Sequence, residues 1–295
     1  MTEQAIAPRY VVITPVRNEQ ENLPRTIASM ARQTVRAWKW VIVDDGSTDA
    51  TGRIADEARA QHPWIEVVHR RDRGFRKPGG GVVEAFRDGY QLIESTRWDF
   101  IVKLDGDLSF EPDYFAAVFE RFVQNPRLGI GGGTICKLDR GALVPESIGD
   151  PRFHVRGATK IYRAECWRQL GGLYPAPGWD TLDEIKANML GWQTRTFAEL
   201  KLHHHRHAGE ADGKWVNWFK NGRANYITGY LPLFMLCKCL TRTFSKPYAI
   251  GALGLLCGYT SGYLKRVPRV NDPQLIRYLR REQLNRLLLK SSLWG

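Results

Sequence analysis

The chain has 295 residues, 43% of them hydrophobic, and a formal net charge of +12. This length is enough for one large domain or for a domain with an extension. Five cysteines, an odd number without the spacing of a zinc site, argue against a disulfide framework and against a zinc protein. Because the first residues lack the basic and apolar regions of a signal peptide, we expect a cytoplasmic protein with reduced thiols.

The excess of positive over negative charge lies entirely in the last third of the chain. Residues 1–200 contain 27 Lys/Arg and 27 Asp/Glu, whereas residues 201–295 contain 16 and 4. A neutral body followed by a basic segment indicates an anionic partner such as a membrane, a lipid phosphate or a nucleic acid.

Strands and helices alternate in the first 126 residues. The apolar runs predict strands at 10–14, 40–43, 65–69 and 100–104, with helices at 23–33, 49–62, 82–95 and 112–124. This order predicts an α/β fold in which a mainly parallel sheet is covered by helices on both faces. Beyond it we predict a strand at 128–134, a long loop at 137–160 suited to a lid, a helix at 183–190 and a strand at 193–197.

Polar residues follow three of the predicted strands. They lie at 14–19, at 44–45, and at 105–107, where an apolar strand runs into Asp105-Gly106-Asp107. In an open α/β sheet such residues point into the crevice where ligands bind. Two facing carboxylates usually share a cation or perturb each other's pKa, and hard oxygen ligands suit Mg²⁺ or Mn²⁺, which would bridge to a diphosphate. Asp-x-Asp by itself also fits a surface turn, and its position at a strand end favours the ligand site.

The order Thr14-Pro15-Val16-Arg17-Asn18-Glu19, then Asp44-Asp45-Gly46-Ser47, then Asp105-Gly106-Asp107 resembles the nucleotide-sugar-binding half of family 2 glycosyltransferases, which have the GT-A fold. The resemblance covers about residues 8–205. It implies that Asp45 binds the imide N–H of a pyrimidine, and that Thr14, Pro15, Val16 and Glu19 line the donor pocket. It also implies that Asp107 binds the metal, and that Asp105 lies against the ribose or the water shell of the metal.

Two further segments match the family only in part. Members place a catalytic base in a Glu-Asp motif at the start of a helix, and this chain has Asp183-Glu184 in the reverse order, so we predict Asp183 as the base and Glu184 as second choice. Capping of the helix by acidic residues is the alternative reading. In the cluster 203–207, His205 is nearest to a family histidine that completes the metal site. A solvated strand end is the alternative.

The basic, Gly-rich loop 70–81 precedes a predicted helix. Such a loop is suited either to a phosphate or to a flexible solvated surface.

The last third suggests a membrane. Residues 248–264 are uncharged, at the short limit for spanning a bilayer, and contain Gly254, Gly258 and Gly262, which allow another helix to approach closely. A basic amphipathic helix follows from Pro273. We expect attachment to an anionic membrane surface, with spanning and soluble packing as the alternatives. The predicted division is a catalytic domain at 1–210 and a helical, basic extension at 211–295.

These features together predict an inverting, metal-dependent glycosyltransferase that acts from the cytoplasm at the inner membrane face. The expected donor is a nucleoside-diphosphate sugar, with UDP favoured, and the acceptor is a hydroxyl of a glycan or lipid-linked molecule, with no nucleic acid as partner. A sugar-phosphate nucleotidyltransferase is the second enzyme hypothesis. It would need a Gly-rich motif with Arg and Lys after the first strand, which the segment 14–19 lacks. A basic module that binds membranes or nucleic acid is the non-enzyme hypothesis.

Overall fold

The computed structural model describes residues 8–75, 80–147, 149–206, 213–244 and 248–294. In chain order, the strands and helices of this part are β1 (Tyr10–Val16), α1 (Leu23–Ala31), β2 (Lys39–Asp44), α2 (Thr51–Gln61), β3 (Ile65–His69), α3 (Gly80–Gln91), β4 (Phe100–Leu104), β5 (Leu108–Phe110), α4 (Tyr114–Gln124), β6 (Leu128–Asp139), β7 (Ala142–Pro145), β8 (Thr159–Arg163), α5 (Ala164–Leu170), α6 (Trp179–Met189), β9 (Gln193–His204), α7 (Lys214–Ile227), α8 (Pro232–Thr243), α9 (Tyr248–Leu264) and α10 (Pro273–Leu287).

The strands form one sheet in the order β3-β2-β1-β4-β8-β6-β9-β5, with β7 paired to β6. The first four strands of the chain are parallel, as predicted. Beyond them the sheet is mixed, because β8 enters antiparallel to β4. β1 lies between β2 and β4, so the carboxyl ends of these three strands meet at one edge, where ligands bind in open α/β sheets.

Apolar clusters cover the two faces of this sheet. One is centred on α1 and α4 and contains Phe115 and Phe119, and the other is centred on α3 and α5 and contains Phe86 and Trp167. Because β1, β2 and β4 are buried on both faces, they consist of nearly continuous apolar runs, as expected for parallel strands between helical layers.

The segment 137–160 differs from its prediction as a long loop. β6 continues to Asp139 and returns through β7 as a hairpin. Its turn residues Arg140 and Gly141 both have positive φ, 49° and 83°, which is the geometry of a two-residue hairpin turn. The hairpin directs the chain so that Glu146, just after β7, reaches the sheet edge.

A third apolar cluster joins the C-terminal helices to the body. It combines Leu182 and Ile185 of α6 with Leu255 of α9 and with Leu275 and Leu279 of α10. The helices after 213 therefore share a core with the sheet domain. The predicted boundary at 210/211 lies outside the described residues.

The glycines of α9 form its contact with α7. A Cβ at Gly258 would lie 2.0 Å from the carbonyl oxygen of Phe219, and one at Gly262 would lie 2.2 Å from the ring of Tyr226. The predicted close approach of a second helix is thus made within the chain. Within the described residues, no helix is both long and apolar enough to cross a bilayer.

This seam leads to a stability prediction. Gly258→Ala should lower the free energy of unfolding by about 1–3 kcal/mol, because the added methyl group forces α7 and α9 apart. Gly251→Ala is the matched control, since its Cβ would lie 3.3 Å from the Trp218 ring and the better helix propensity of alanine offsets the contact. Urea unfolding followed by circular dichroism measures both. Equal stability of Gly258→Ala and wild type would contradict the close packing.

Candidate active site

Asp105 and Asp107 lie directly after β4, at the sheet edge. The Asp105 N–H donates to the carbonyl of Ala158 at 2.8 Å, and the Lys103 ammonium donates to the Asp105 carboxylate. Partial burial raises the pKa of Asp105, opposed by Lys103 and reinforced by the Asp107 charge. Only glycine fits between the two aspartates, because a Cβ at 106 would lie 2.5 Å from a methyl group of Val16 at the end of β1.

Asp107 is buried and has one oxygen without a protein partner. Its Oδ2 accepts from His204 Nε2 at 3.2 Å, whereas Oδ1 receives no hydrogen bond from any residue that the structure describes. A buried carboxylate oxygen without a donor is costly unless a ligand satisfies it. This atom is therefore the best candidate on the sheet edge for binding a cation.

His204 links Asp107 to the hairpin. Its Nδ1 donates to Glu146 Oε1 at 2.7 Å, and the other Glu146 oxygen accepts from Arg156 at 2.6 Å. Burial opposes the charged imidazolium, but the hydrogen bonds to Asp107 and Glu146 raise the pKa of His204 to about 10. Glu146 was not identified from the sequence, because its segment was expected to be a loop.

His205, the histidine predicted to complete the metal site, follows β9 directly, and its backbone N–H donates to the carbonyl oxygen of Asp107 at 2.9 Å. Successive residues of a strand point to opposite faces, and His205 Nε2 is hydrogen-bonded to Ser109 Oγ at 2.8 Å. Burial and the neighbouring His203 lower the pKa of His205 to about 4. The structure thus brings His204, one position earlier, to the Asp107 carboxylate.

Glu19, predicted to contact the donor, lies beside the two aspartates. It is buried, accepts from Arg206 at 2.7 Å and from Asn22 at 3.0 Å, and has a pKa raised to about 7 by burial and by the charges of Asp107 and Asp105. Arg206 also donates to the carbonyl of Asn18 at 3.0 Å, so it ties the end of β9 to the loop after β1.

Thr14, Pro15 and Val16 are buried in β1 and form the floor of this edge. The Thr14 hydroxyl accepts from the indole of Trp40 at 2.8 Å, so its side chain faces the core.

Asp45, the residue predicted to bind the nucleobase, is engaged by two arginines. Arg70 and Arg73 each donate to one oxygen of its carboxylate. The first part of the basic loop therefore covers Asp45, while residues 76–79 of this loop lie outside the described part. A base that pairs with Asp45 must displace or share these arginines.

Asp183 and Glu184, the predicted catalytic carboxylates, are both fully buried in α6. Lys160 donates to Asp183 at 2.7 Å and lies 2.8 Å from Glu184, and Tyr162 also donates to Asp183. Burial and Glu184 raise the pKa of Asp183 to about 7, against the charge of Lys160. Both carboxylates thus hold Lys160 inside the protein, and neither faces solvent.

Asp180 is the carboxylate of this helix that remains partly exposed. α6 begins at Trp179, four residues earlier than predicted, which puts Asp180 in its first turn. The Trp179 ring lies 5.7 Å from the ammonium of Lys103 and 5.6 Å from that of Lys160. Because Lys103 also holds Asp105, Trp179 brings the start of α6 next to the aspartate pair. Asp180 lies three residues before the predicted base Asp183. It was missed because the helix was predicted to start only at residue 183.

The donor set suits a divalent cation that is shared with a diphosphate. No group of three or more His, Cys, Asp or Glu side chains positioned to hold a metal occurs in the described ranges. Asp105 and Asp107 supply hard oxygens, and Mg²⁺ is typically held by one or two carboxylates together with substrate phosphates. The residues present therefore fit Mg²⁺ or Mn²⁺ only in company with the donor.

Comparison with known proteins places this site in a family. The sequence model of glycosyl transferase family 2 matches residues 11–153. An undecaprenyl-phosphate mannosyltransferase from Micrococcus luteus is 33% identical over 209 residues, which are 66% of this chain and 79% of that protein. A polyprenol monophosphomannose synthase from Mycolicibacterium smegmatis is 30% identical over 133 residues, 43% of this chain and 48% of that protein.

Solved structures agree in fold. One similar structure is the mannosyltransferase PcManGT from Pyrobaculum calidifontis in complex with GDP-Man and Mn²⁺. The match covers 98% of this chain and 77% of the PcManGT chain, with a TM-score of 0.58 and 17% identity. S. aureus TarS in complex with UDP-GlcNAc covers 92% of this chain and 79% of its own, with a TM-score of 0.53 and 15% identity. The fold is therefore that of GT-A glycosyltransferases, and by its sequence the chain belongs to glycosyl transferase family 2 and is a glycosyltransferase.

Proposed function

We propose that this glycosyltransferase transfers a sugar, with inversion, from a nucleoside-diphosphate donor to a hydroxyl of a glycan or lipid-linked acceptor. We further propose that it depends on Mg²⁺ or Mn²⁺ and acts at the cytoplasmic face of the membrane. The observation that carries the proposal is the buried, unpartnered Oδ1 of Asp107 beside Asp105, at the edge where β1, β2 and β4 end.

The donor end of the reaction belongs to this edge. A bound Mg²⁺ or Mn²⁺ would supply Lewis-acid stabilisation of the departing diphosphate. Asp107 and Asp105 would hold it, and the Glu146–His204 pair would keep the Asp107 carboxylate in place through Oδ2. Asp45 would select the nucleobase, once Arg70 and Arg73 release or share it. UDP is favoured because the family resemblance assigns Asp45 to the imide N–H of a pyrimidine. GDP is the second nucleotide to test because PcManGT was solved with GDP-Man.

For the base that takes the proton of the acceptor hydroxyl, we propose Asp180 in place of Asp183. A general base must come within hydrogen-bond reach of the proton it removes, and Asp183 is enclosed by Lys160 and Tyr162. Lys160 also donates to the backbone carbonyl of Asp180. The buried network therefore acts by positioning the first turn of α6.

The names of the relatives suggest the acceptor. The M. luteus and M. smegmatis proteins are named for undecaprenyl phosphate and for a polyprenol monophosphate sugar. A lipid-linked acceptor also agrees with the basic C-terminal third. We therefore favour it over a soluble glycan.

A thermal-shift panel tests the donor. UDP, GDP, UDP-GlcNAc and GDP-Man are each added with Mn²⁺ and with EDTA, and a ligand that binds only the folded state raises Tm by mass action. We expect one nucleotide series to raise Tm only with Mn²⁺. Release of pyrophosphate from a nucleoside triphosphate and a sugar phosphate, without any shift by nucleotide sugars, would instead identify a nucleotidyltransferase.

A further inference from the structure

Helix α9 is apolar on all sides, yet only half of it is covered. It has no charged residue in 17 positions. One side packs on α7 through its glycines, and the adjoining side enters the core with Leu255 and Tyr259. The opposite side is open: Ile250 and Leu253 are each 52% exposed, and Leu264 is 84% exposed. A helix that is hydrophobic all round is normally buried all round, so this side calls for a partner.

Helix α8 presents a second row of exposed apolar side chains. It packs beside α9, and its inner residues Phe234, Met235 and Cys239 enter the same core cluster. Its outer residues follow at helical spacing and are exposed, with Leu240 at 58% and Phe244 at 83%. We call the combined surface the α8–α9 face, which consists of Leu233, Leu236, Leu240, Phe244, Ile250 and Leu253. Contiguous exposed apolar patches of this kind mark interaction sites.

The charges around this face select its partner. Residues 213–271 contain nine Lys/Arg and no Asp/Glu. Lys265 and Arg266 are exposed directly after α9, whereas Lys238 and Arg242 of α8 are only partly exposed and lie over the rings of Tyr230 and Trp218. Two copies of this chain would bring like charges together, whereas the headgroups of an anionic lipid surface would attract these basic residues.

The geometry points to an anionic lipid bilayer as the occupant: we propose that the α8–α9 face lies in the membrane interface, with its leucines in the boundary between headgroups and acyl chains. Apolar side chains flanked by basic residues are the combination that binds there. This proposal depends on the proposed function in one respect: a lipid-linked acceptor would explain why the enzyme needs a membrane-binding face.

This assignment replaces the amphipathic helix predicted from Pro273. The leucines at the start and centre of α10, Leu275 and Leu279, are fully buried against the body. The apolar side of α10 is therefore used mainly inside the chain, and α8 with α9 presents the larger apolar surface.

Sedimentation with vesicles tests the proposal. The full chain is mixed with phosphatidylglycerol–phosphatidylcholine vesicles and with pure phosphatidylcholine vesicles, without donor or acceptor. We expect binding to the anionic vesicles that high salt weakens but does not abolish. Leu240→Gln/Leu253→Gln should lower the partition coefficient at least about tenfold, because two leucine side chains no longer leave water.

The matched control is Val123→Gln/Leu138→Gln, which alters two exposed apolar residues on the catalytic body. It should bind vesicles as wild type does. Both double variants should keep the wild-type Tm and the wild-type shift with donor, so loss of docking is separated from loss of fold or of donor binding. A donor panel without any shift, together with normal docking, would refute the function and leave the face intact.

Three outcomes of the sedimentation test would overturn the proposal. These are no sedimentation of the full chain, equal sedimentation of the leucine double variant, and equal binding to neutral and anionic vesicles. A concentration-dependent dimer that the same double variant abolishes would also overturn it, since a second copy would then be the occupant.

Discussion

Asp107→Asn is expected to lower sugar transfer by about 10²–10³-fold, because several kcal/mol of charge stabilisation on the leaving diphosphate would depend on the cation that this residue is proposed to hold. The substitution keeps the size of the side chain and its contact with His204. The Mn²⁺-dependent increase in Tm on donor binding should disappear in the variant. Transfer of a radiolabelled sugar and thermal shift measure the two effects.

Three control variants sharpen this test. Asp113→Asn changes an exposed carboxylate of the same body and should transfer normally. His204→Gln should lose part of the activity because the support of Asp107 is weakened, whereas His205→Gln should lose little, since His205 contacts Ser109. A loss in His205→Gln as large as in Asp107→Asn would restore His205 as a metal ligand. Wild-type transfer by Asp107→Asn would refute the metal site.

Asp180→Asn is expected to reduce turnover by about 10²–10⁴-fold while leaving donor affinity unchanged, because this is the usual contribution of a general base. The loss should be measured as kcat at saturating donor, with the donor KM and the thermal shift as evidence that binding is intact. If the rate of the wild-type enzyme falls on an acidic limb of its pH profile, that limb should be absent in the variant.

Asp183→Asn separates the base from its support. It removes one partner of the buried Lys160, so it should lower the free energy of unfolding by up to about 3 kcal/mol. Any loss of turnover should follow that loss of stability and should leave the pH profile in place. If Asp183→Asn abolishes the acidic limb and Asp180→Asn does not, the prediction from the sequence is right and the base is Asp183.

The same comparison reports on the acceptor. A hydroxyl must lose a proton to attack, but a phosphate monoester, with a second pKa of about 6, is already largely ionised at neutral pH. Unchanged turnover in both variants would therefore contradict a hydroxyl acceptor and indicate attack by a lipid phosphate.

Local patterns made the first half of the fold predictable. β1, β2 and β4 are largely apolar and buried, and β3 is a partly buried run of the same kind. The ends of all four strands coincide with the predicted limits to within two residues. The β6–β7 hairpin was missed because residues 137–160 contain Pro, Gly and charged residues, a composition that indicates a loop. Its turn also has arginine where asparagine is usual at positive φ.

The carboxylates of the site were predictable, but their partners were not. Asp105 and Asp107 follow directly from strand ends, so one short segment reveals them. Lys103 is a single charged residue in the apolar strand β4, and this sequence feature could have indicated its buried ion pair with Asp105. The meeting of His204 with Glu146 depends on a hairpin and on strand register, which no local segment contains.

The seam between α7 and α9 also governs how the enzyme is oriented. Because Gly258 lies directly against the backbone of Phe219, α9 and α7 pack as one unit. α9 in turn shares a core with α6, the helix that carries Asp180. Whatever binds the outer side of α9 thus holds the whole body at one tilt and one height. If the α8–α9 face lies in a membrane, its distance from the catalytic edge is fixed by this packing, and so is the distance from the lipid surface that an acceptor must reach.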